Sequence, residues 1–511
     1  MAGYHRLDDL VPDWIASNAS RIPDRVATEV LGESLTFRQL DTAVSLMARQ
    51  LAGLGVREGD RVATVLANGR VAALLPHATV RLGATAAPLN ARLTPAELQA
   101  QLRNLDARLV LVDARSATAV AALPNVAPEG IDTESAGVLG YPPLHEVPAA
   151  DIELREAHGS EHVFAIVHTS GTTGRPSAAM LTVGNFLWSA LSSSRNLGML
   201  PDDRWLACMP LYHVGGLSIL TRAAIDGFTS VVQRGFDAAA VNRAVDAGSV
   251  TIVSVVATML QRMLDERSDR PFPASLRYVL AGGGSVPRHL LDRCRSLGVP
   301  LLQTYGLTES ASQVATLAPG DVYKRPGSAG RALWPSSIRI ASGARELPAG
   351  AEGEIQVRGP IVMAGYHNDP EGTAAKLVDG WLHTGDIGRL DEDGYLYVLD
   401  RRHDLIVSGG ENVYPTEVES VLLMHDSVSE AAVLGLDDRE WGARVVAIVV
   451  PAGEAVKGLP EKLDAHCRAH LAGYKVPREY LVSSEPLPRT ASGKLRRGEV
   501  RELVAELRTV P

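Results

Sequence analysis

The chain has 511 residues, of which 46% are hydrophobic and 21% charged, and its formal net charge is −9. This length exceeds what one hydrophobic core supports, so two or more domains are expected. The acidic balance argues against nucleic-acid binding through bulk charge, and no uncharged apolar run approaches the roughly 18 residues of a membrane span.

Residues 22–125 predict alternating helices and short buried strands. Helical spacing of apolar residues runs from Thr36 to Leu54, and a second helix is predicted over 72–83. Strands are predicted at 61–66 and 109–112. Strands that alternate with helices indicate parallel βαβ units, and a second run of this kind covers 183–305.

Shorter alternating segments separated by Gly and Pro follow over 326–400, and this pattern indicates a β-rich subdomain. Residues 405–511 predict a separate small α+β unit, and the charged junction 401–404, which includes Asp404, is typical of a hinge. The fold class is therefore α/β: a large N-terminal domain, 1–400, with two βαβ-type subdomains and a β-rich (distorted barrel) subdomain, and a C-terminal domain over 405–511.

A segment rich in Ser, Thr and Gly, from His168 to Met180, follows the apolar run 163–167. Small residues let backbone N–H groups close on phosphate oxygens, and hydroxyls add donors. It is not a Walker A loop, because Arg175 and Pro176 follow Gly174. A hydroxyl-rich surface turn is the alternative to a phosphate-binding loop, whose candidate ligands are Thr169, Ser170, Gly171, Thr172, Thr173 and Gly174.

Six further segments contain residues suited to nucleotide or acyl chemistry, and each also has an ordinary structural interpretation. A Thr-Glu pair can cap a helix, a Gly-Asp pair can form a turn, and a lone His or Lys is more often structural or solvated. The segments are PLYHVGG (210–216), AGGGS (281–285), QTYGLTE (303–309), WLHTGDIG (381–388), SGGENVYP (408–415) and PRTASGK (488–494).

In this order the segments resemble the adenylate-forming enzymes, which are acyl-CoA synthetases, luciferases and adenylation domains, over roughly residues 15–500. The resemblance implies a large N-terminal domain with a small mobile C-terminal lid, and it implies ATP, Mg²⁺ and CoA as cofactor and co-substrates. It assigns the ATP site to the 169–174 loop and to Gly283, Gly284, Thr304, Tyr305, Gly306, Thr308, Asp386, Arg401 and Lys494.

The resemblance also implies individual roles. Tyr305 would lie against adenine, Thr308 would donate to the α-phosphate, and Glu309 with Thr169 would hold Mg²⁺, which prefers hard oxygen ligands. Asp386 and Arg401 would bind the ribose. Lys494 would bridge the acyl carboxylate and the α-phosphate, where transition-state charge develops. The remaining residues would border the acyl group or CoA: His213, Gly282, Gly409 and Gly410.

Longer phrases at 205–220, 303–317 and 399–415 resemble the o-succinylbenzoate–CoA ligases of menaquinone biosynthesis. The expected reaction forms acyl-AMP and pyrophosphate, and then acyl-CoA and AMP. A medium-chain or aryl acyl-CoA synthetase, a stand-alone adenylation enzyme and a non-catalytic nucleotide-binding homologue are the alternatives. The partners are expected to be a small carboxylic acid, ATP and CoA, and members of this family are often homodimers.

The three cysteines, Cys208, Cys294 and Cys467, form neither a metal spacing nor a disulfide framework, which favours a cytoplasmic location. Asp8 and Asp9 precede any apolar run, which argues against a signal peptide.

One position departs from the family pattern. The family usually has Lys where this chain has Ser177, and Gly where it has Ala178. Ser cannot supply a cation to the β- and γ-phosphates, so weaker ATP affinity or slower adenylation is expected. Arg175 lies two residues earlier, but Pro176 fixes the backbone between them. Residual activity is expected because Lys494, Glu309 and Asp386 remain.

Overall fold

A computed structural model describes residues 10–117, 120, 123, 130–132, 144–169, 177–284, 286, 288–400, 406–453, 458–488, 495 and 497–509. These residues divide into two compact units. The first is drawn from 1–91, 99–168 and 178–399, and the second from 92–98, 169–177 and 400–511. Within the described residues, no helix is long and apolar enough to cross a membrane.

The first sheet has seven strands, and its central pairs are parallel. Its strands, in spatial order, are Gly365–Tyr366, Ser177–Thr182, Val163–Thr169, Thr85–Pro88, Arg61–Val65, Leu109–Val112 and Gly130–Asp132. Residues 61–65 and 109–112 are almost entirely buried, as expected for strands that are covered on both faces.

The second sheet has nine strands and is parallel at its centre, with antiparallel pairs at both edges. Its strands, in spatial order, are Arg331–Ala332, Ser312–Thr316, Leu301–Leu307, Tyr278–Ala281, Ile252–Val255, Arg204–Ala207, Thr229–Val232, Val26–Val30 and Glu33–Thr36. The carboxyl ends of its parallel strands carry two of the segments singled out in the sequence, 281–285 and 303–309.

A six-stranded antiparallel sheet covers most of the β-rich region. Its strands are Arg345–Glu346, Ser337–Ser342, Gly353–Arg358, Trp381–Leu390, Leu377–Val378 and Leu396–Asp400. A separate two-stranded sheet pairs Leu10–Pro12 with Ala157–Gly159.

Helices before residue 400 are bounded by ordinary capping chemistry. Thr36 with Gln39 and Thr182 with Asn185 form capping boxes, and Gly198 and Gly227 end helices in the left-handed conformation. The helices lie at Trp14–Arg21, Phe37–Gly53, Arg70–Arg81, Pro95–Leu105, Val183–Leu197, Val214–Asp226, Ala238–Asp246, Ala257–Arg267, Arg288–Ser296 and Pro370–Lys376, with 3₁₀ turns at Leu144–Glu146 and Thr308–Ser310.

The C-terminal part of the chain is a small α+β structure with its own core. A hairpin, Ile406–Ser408 and Glu411–Val413, precedes a three-stranded sheet of Val428–Asp438, Gly442–Pro451 and Glu479–Val482. Its helices are Pro415–Leu423, Leu459–His470 and Arg497–Thr509. Buried residues on the first two helices, including Val418 and Leu463, pack with strand residues such as Val433 and Ala447.

The predicted fold class is confirmed: the chain is a mixed α/β protein with a large N-terminal and a small C-terminal domain. The composition of residues 123–160, rich in Pro, Gly, Ala and Glu, predicts a surface connection, but the described part of this segment includes an edge strand and buried side chains. Gly130–Asp132 is an edge strand of the first sheet, and the side chains of Leu144 and Val147 are buried. The sequence did not indicate these elements because each is only a few residues long.

Candidate functional site

The segment 303–309 ends the strand Leu301–Leu307 and turns back into the strand Ser312–Thr316. A Cβ atom at Gly306 would lie 1.5 Å from the carbonyl oxygen of Ser312, so only glycine fits this close approach between the two chains. The hydroxyls of Thr304 and Thr316 lie 2.8 Å apart across the same pair of strands. Contacts between the two strands therefore fix the backbone of this motif independently of any ligand.

Tyr305 and Asp386 meet in the interior of the first unit. The Tyr305 hydroxyl donates to Oδ2 of Asp386 at 2.7 Å, and both residues are buried. Asp386 lies on the strand Trp381–Leu390, where its own N–H donates to the hydroxyl of Thr384 at 3.0 Å. Two motifs that are about 80 residues apart in the chain thus share one hydrogen bond, as expected if they bind one ligand.

Glu309 lies in the 3₁₀ turn Thr308–Ser310 and is half-buried. Its Oε1 accepts a hydrogen bond from the Tyr366 hydroxyl at 2.8 Å, and its carbonyl oxygen accepts one from the N–H of Met363. Among the described residues, the other carboxylate oxygen has no hydrogen-bond partner. A positioned, partly exposed carboxylate with free lone pairs fits Mg²⁺, which commonly uses one or two carboxylates together with substrate phosphates.

The described residues contain no cluster of three or more His, Cys, Asp or Glu side chains that would hold a metal ion by themselves. A magnesium ion at Glu309 would consequently take its remaining ligands from phosphate oxygens, water and hydroxyl groups.

The glycine segment follows the strand Tyr278–Ala281, next to the strand that carries Thr304. The Gly282 N–H donates to the Val255 carbonyl at 3.1 Å, and a Cβ at Gly282 would lie 2.9 Å from the methyl group of Thr304. Gly283 has a φ of +77°, whereas a Cβ at Gly284 would meet open space. Gly282, predicted to border the acyl group or CoA, and Thr304, predicted for the ATP site, are therefore neighbours.

His213 immediately precedes the helix Val214–Asp226 and packs edge-on against the Tyr212 ring at 4.7 Å. A Cβ at Gly216 would lie 2.4 Å from the Pro210 carbonyl oxygen, so the glycine allows the tight turn that presents His213. A cavity beside this turn is lined by Tyr212 and by mostly apolar residues: Leu66, Leu75, Pro88, Leu211 and Leu217.

The phosphate-loop segment begins and ends in strands. The hydroxyl of Thr169 approaches the Ser177 carbonyl at 3.4 Å, and Ser177 begins the strand Ser177–Thr182. Burial lowers the pKa of His168 to about 3, so this imidazole is neutral near pH 7 and brings no positive charge to the segment. The candidates Ser170, Gly171, Thr172, Thr173 and Gly174 lie outside the described residues.

In the second unit, Gly409 and Gly410 form the two-residue turn between the strands Ile406–Ser408 and Glu411–Val413. Their φ angles are +59° and +85°, and a Cβ at Gly409 would lie 2.7 Å from the Trp441 ring. Both positions require glycine for the hairpin itself. The predicted residues Arg401, Asp404 and Lys494 lie outside the described residues.

Tyr366, whose hydroxyl donates a hydrogen bond to Glu309, was not predicted from the sequence. The tyrosine follows a glycine in a short edge strand that pairs with the strand Ser177–Thr182, and no motif marks it. Its contact with Glu309 can be identified only from the tertiary structure, because 57 residues separate the two in the chain.

The buried Tyr305–Asp386 contact and the half-buried Glu309 lie in two of the segments that resemble the adenylate-forming enzymes. Residues 15–367 match the AMP-binding enzyme family, and residues 417–494 match the AMP-binding enzyme C-terminal domain. The chain belongs to the AMP-binding enzyme family.

Relatives that match almost the whole chain are named 2-succinylbenzoate–CoA ligases. A 2-succinylbenzoate–CoA ligase from Bacillus cereus is 41% identical over 499 residues, which cover 98% of this chain and 100% of the relative. A double mutant of the o-succinylbenzoate CoA synthetase (MenE) from Bacillus subtilis, bound to the product analogue OSB-NCoA, is 38% identical with a TM-score of 0.89, covering 96% of this chain and 98% of that one.

The same Bacillus subtilis enzyme in complex with its acyl-adenylate intermediate OSB-AMP has a TM-score of 0.72, at the same identity and coverage. A further structure of it contains ATP and a magnesium ion.

Proposed function

We propose that this protein is an ATP-dependent, AMP-forming carboxylate–CoA ligase whose acid is 2-succinylbenzoate. The contact between Tyr305 and Asp386 carries the proposal, because it joins two separate nucleotide motifs in one buried position. The choice of acid is supported by relatives that match almost the whole chain. ATP, Mg²⁺ and CoA are the corresponding cofactor and co-substrates.

The adenosine part of the nucleotide would be held by residues of the first unit. In this proposal Asp386 accepts the ribose hydroxyls, Tyr305 borders the adenine, and Thr308 donates to the α-phosphate. Bound Mg²⁺, held by Glu309 with Thr169, would screen the phosphate charge as pyrophosphate leaves. Because Asp386 already accepts one hydrogen bond from Tyr305, its carboxylate is fixed before the ribose arrives.

The first half-reaction forms a mixed anhydride. A carboxylate oxygen of the acid attacks the α-phosphorus of ATP, the bond from that phosphorus to the bridging oxygen breaks, and pyrophosphate leaves. Lys494 would stabilise the charge that develops between the acyl carboxylate and the α-phosphate. His213, at the start of its helix, would contact the acyl group rather than act as a general base.

The second half-reaction transfers the acyl group. The CoA thiolate attacks the acyl carbon, the carbon–oxygen bond to AMP breaks, and AMP leaves with the electron pair. Gly409 and Gly410 would let the pantetheine arm pass. A single position of the C-terminal domain cannot bring both Lys494 and the CoA thiol to the same acyl carbonyl. The domain would therefore turn about the hinge at Asp404, near Arg401, between the two steps.

The test measures pyrophosphate release with a panel of acids: 2-succinylbenzoate, benzoate, a medium-chain fatty acid and no acid. The proposal predicts release that depends on 2-succinylbenzoate and Mg²⁺, followed by a CoA thioester of the corresponding mass. Stronger release with benzoate or the fatty acid would favour an aryl or medium-chain synthetase. Release without thioester formation would favour a stand-alone adenylation enzyme, and no release with any acid would favour a non-catalytic homologue.

We also propose a cytoplasmic homodimer. The cytoplasmic part is supported by the three cysteines, which are all buried and free, as in proteins of reducing compartments. Sedimentation equilibrium of the purified protein tests the dimer, and a monomer across the micromolar range would contradict it.

A further inference from the structure

The buried Asp386 lies in an irregular part of its strand. The strand Trp381–Leu390 has three residues, 384–386, at a place where the paired strand Gly353–Arg358 has one. This is a β-bulge, and Gly385 within it has a φ of +76°. Extra residues in a bulge lose their regular ladder partners, and the bulge changes the direction of a side chain. The orientation of the Asp386 carboxylate therefore depends on the contacts that hold the bulge.

One carboxylate on the paired strand contacts two parts of this segment. Oε1 of Glu354 accepts a hydrogen bond from the N–H of Gly385 at 2.9 Å, and Oε2 lies 2.9 Å from Nδ1 of His383. A backbone N–H forms a stronger hydrogen bond with a carboxylate than with a neutral acceptor. Because Gly385 lies outside the paired positions of the two strands, Glu354 supplies its N–H with the acceptor that a regular ladder would provide.

The Glu354 side chain is itself held by neighbouring side chains on the same sheet. Nε2 of Gln356, which is fully buried, donates to Oε2 of Glu354 at 3.1 Å. Oε1 of Gln356 accepts from Nε of Arg339 at 2.8 Å, and the Arg339 guanidinium lies over the Trp381 ring at 4.2 Å. A carboxylate with partners of this kind loses little conformational freedom when it also binds the bulge.

A second contact attaches the bulge to the residue after Glu354. The buried hydroxyl of Thr384 donates to the carbonyl oxygen of Ile355 at 2.6 Å and accepts from the N–H of Asp386 at 3.0 Å. Glu354 and Ile355 are adjacent, so the same short stretch of strand holds the bulge through a carboxylate and through a carbonyl. The backbone on the N-terminal side of Asp386 is consequently fixed at two successive residues, Thr384 and Gly385.

We propose that Glu354 is a positioning residue that holds the bulge 384–386 and thereby orients the Asp386 carboxylate towards the ribose hydroxyls of ATP. The inference rests on the proposed function, in which Asp386 accepts those hydroxyls. Glu354 touches no ligand and acts through the N–H of Gly385, the residue before Asp386. The preference of the enzyme for ribonucleotides over deoxyribonucleotides therefore depends on Glu354.

The experiment compares Glu354→Ala and Glu354→Gln with Asp391→Ala as a matched control. Asp391 follows the same strand, accepts a backbone N–H from Tyr395 at 2.9 Å and pairs with Arg325. Its side chain is about as exposed as that of Glu354, 18% against 23%. The first readout is hydrogen exchange of the ligand-free protein over residues 383–387. The second is the ratio of kcat/KM for ATP to kcat/KM for 2′-deoxy-ATP, measured by pyrophosphate release.

Glu354→Ala is expected to speed exchange over 383–387 and to lower the ATP to 2′-deoxy-ATP ratio by about tenfold, the worth of one hydrogen bond to a charged group. Glu354→Gln keeps an oxygen for the N–H of Gly385 but loses the charge, so both readouts should fall between wild type and Glu354→Ala. Adding Glu354→Ala to Asp386→Asn should not lower the ratio further, because both changes act on one contact. Asp391→Ala should lower the thermal midpoint and leave both readouts at wild-type values.

The proposal is overturned if Glu354→Ala leaves the exchange of 383–387 unchanged, or if it lowers kcat/KM for the two nucleotides by the same factor. If Glu354→Ala does not fold, the isosteric Glu354→Gln decides by the same two criteria. Failure of the proposed function has a different signature, because the wild-type protein then releases no pyrophosphate with any acid. In that case the exchange of 383–387 alone decides whether Glu354 holds the bulge.

Discussion

The imidazole of His77 gives the N-terminal domain a pH-dependent stability that the structure allows us to calculate. His77 lies on the helix Arg70–Arg81, is 6% exposed, and packs edge-on against the rings of Trp14 at 6.3 Å and Phe164 at 5.6 Å. Burial lowers the pKa of His77 to about 4, against an ordinary value of 6.5, and the neighbouring charge of Asp13 opposes this shift only in part.

The sign of the change in stability with pH follows from which state, folded or unfolded, binds the proton more tightly. The folded pKa is depressed, so the stability is fully present above pH 6.5 and is lost as the pH falls towards 4, because the unfolded chain takes up a proton that the folded chain refuses. One proton changes the free energy of unfolding by about 1.4 kcal/mol per pH unit. Between about pH 7.5 and 4.5, His77 should therefore account for a loss of about 2 to 3 kcal/mol.

The assay is urea denaturation at several pH values for the wild-type protein, His77→Phe and the control His145→Phe. Phe is aromatic and does not titrate, so His77→Phe should lose about 2 to 3 kcal/mol less than wild type over this pH range, whatever its absolute stability. His145 is 73% exposed, so its replacement should leave the pH dependence as in wild type. Equal pH dependence for His77→Phe and wild type would refute the reasoning.

Two further predictions concern the chemistry of the site. Lys494→Ala should lower adenylation by about 10²- to 10³-fold, measured as pyrophosphate release, and should affect thioester formation from supplied acyl-adenylate much less. The exposed Lys462 provides the control, and equal losses in both half-reactions would contradict a lysine used in one step only. Ser177→Lys should improve the kcat/KM for ATP by about tenfold, the worth of one charged hydrogen bond, whereas the uncharged Ser177→Gln should not. Unchanged ATP kinetics in Ser177→Lys would mean that the absent cation does not limit the reaction.

The layered α/β architecture was predictable because the elements that build it are long and periodic. The apolar spacing between Thr36 and Leu54 corresponds to the helix Phe37–Gly53, and the buried run at 109–112 is a strand of the first sheet. Pairing partners were not predictable, since strand order depends on contacts between distant segments. Val26–Val30, for example, pairs with Thr229–Val232, some 200 residues later.

The sequence predicts the candidate site as a set of segments, but it does not predict the contacts between them. Asp386 and Tyr305 each stand in a recognisable motif, but nothing in either motif states that their side chains touch. Tyr366 has no sequence signal at all, because a single tyrosine in a short strand is ordinary and its partner Glu309 lies 57 residues away in the chain. Distant polar contacts of this kind arise only from the tertiary fold.

The most direct test of the central claim is to look for the adenylate itself. Stoichiometric enzyme is mixed with ATP, Mg²⁺ and 2-succinylbenzoate without CoA, quenched, and analysed by mass spectrometry. The account predicts a 2-succinylbenzoyl-adenylate, formed together with pyrophosphate, which disappears on addition of CoA as the thioester and AMP appear. The absence of this adenylate, or the formation of ADP and phosphate in its place, would contradict it.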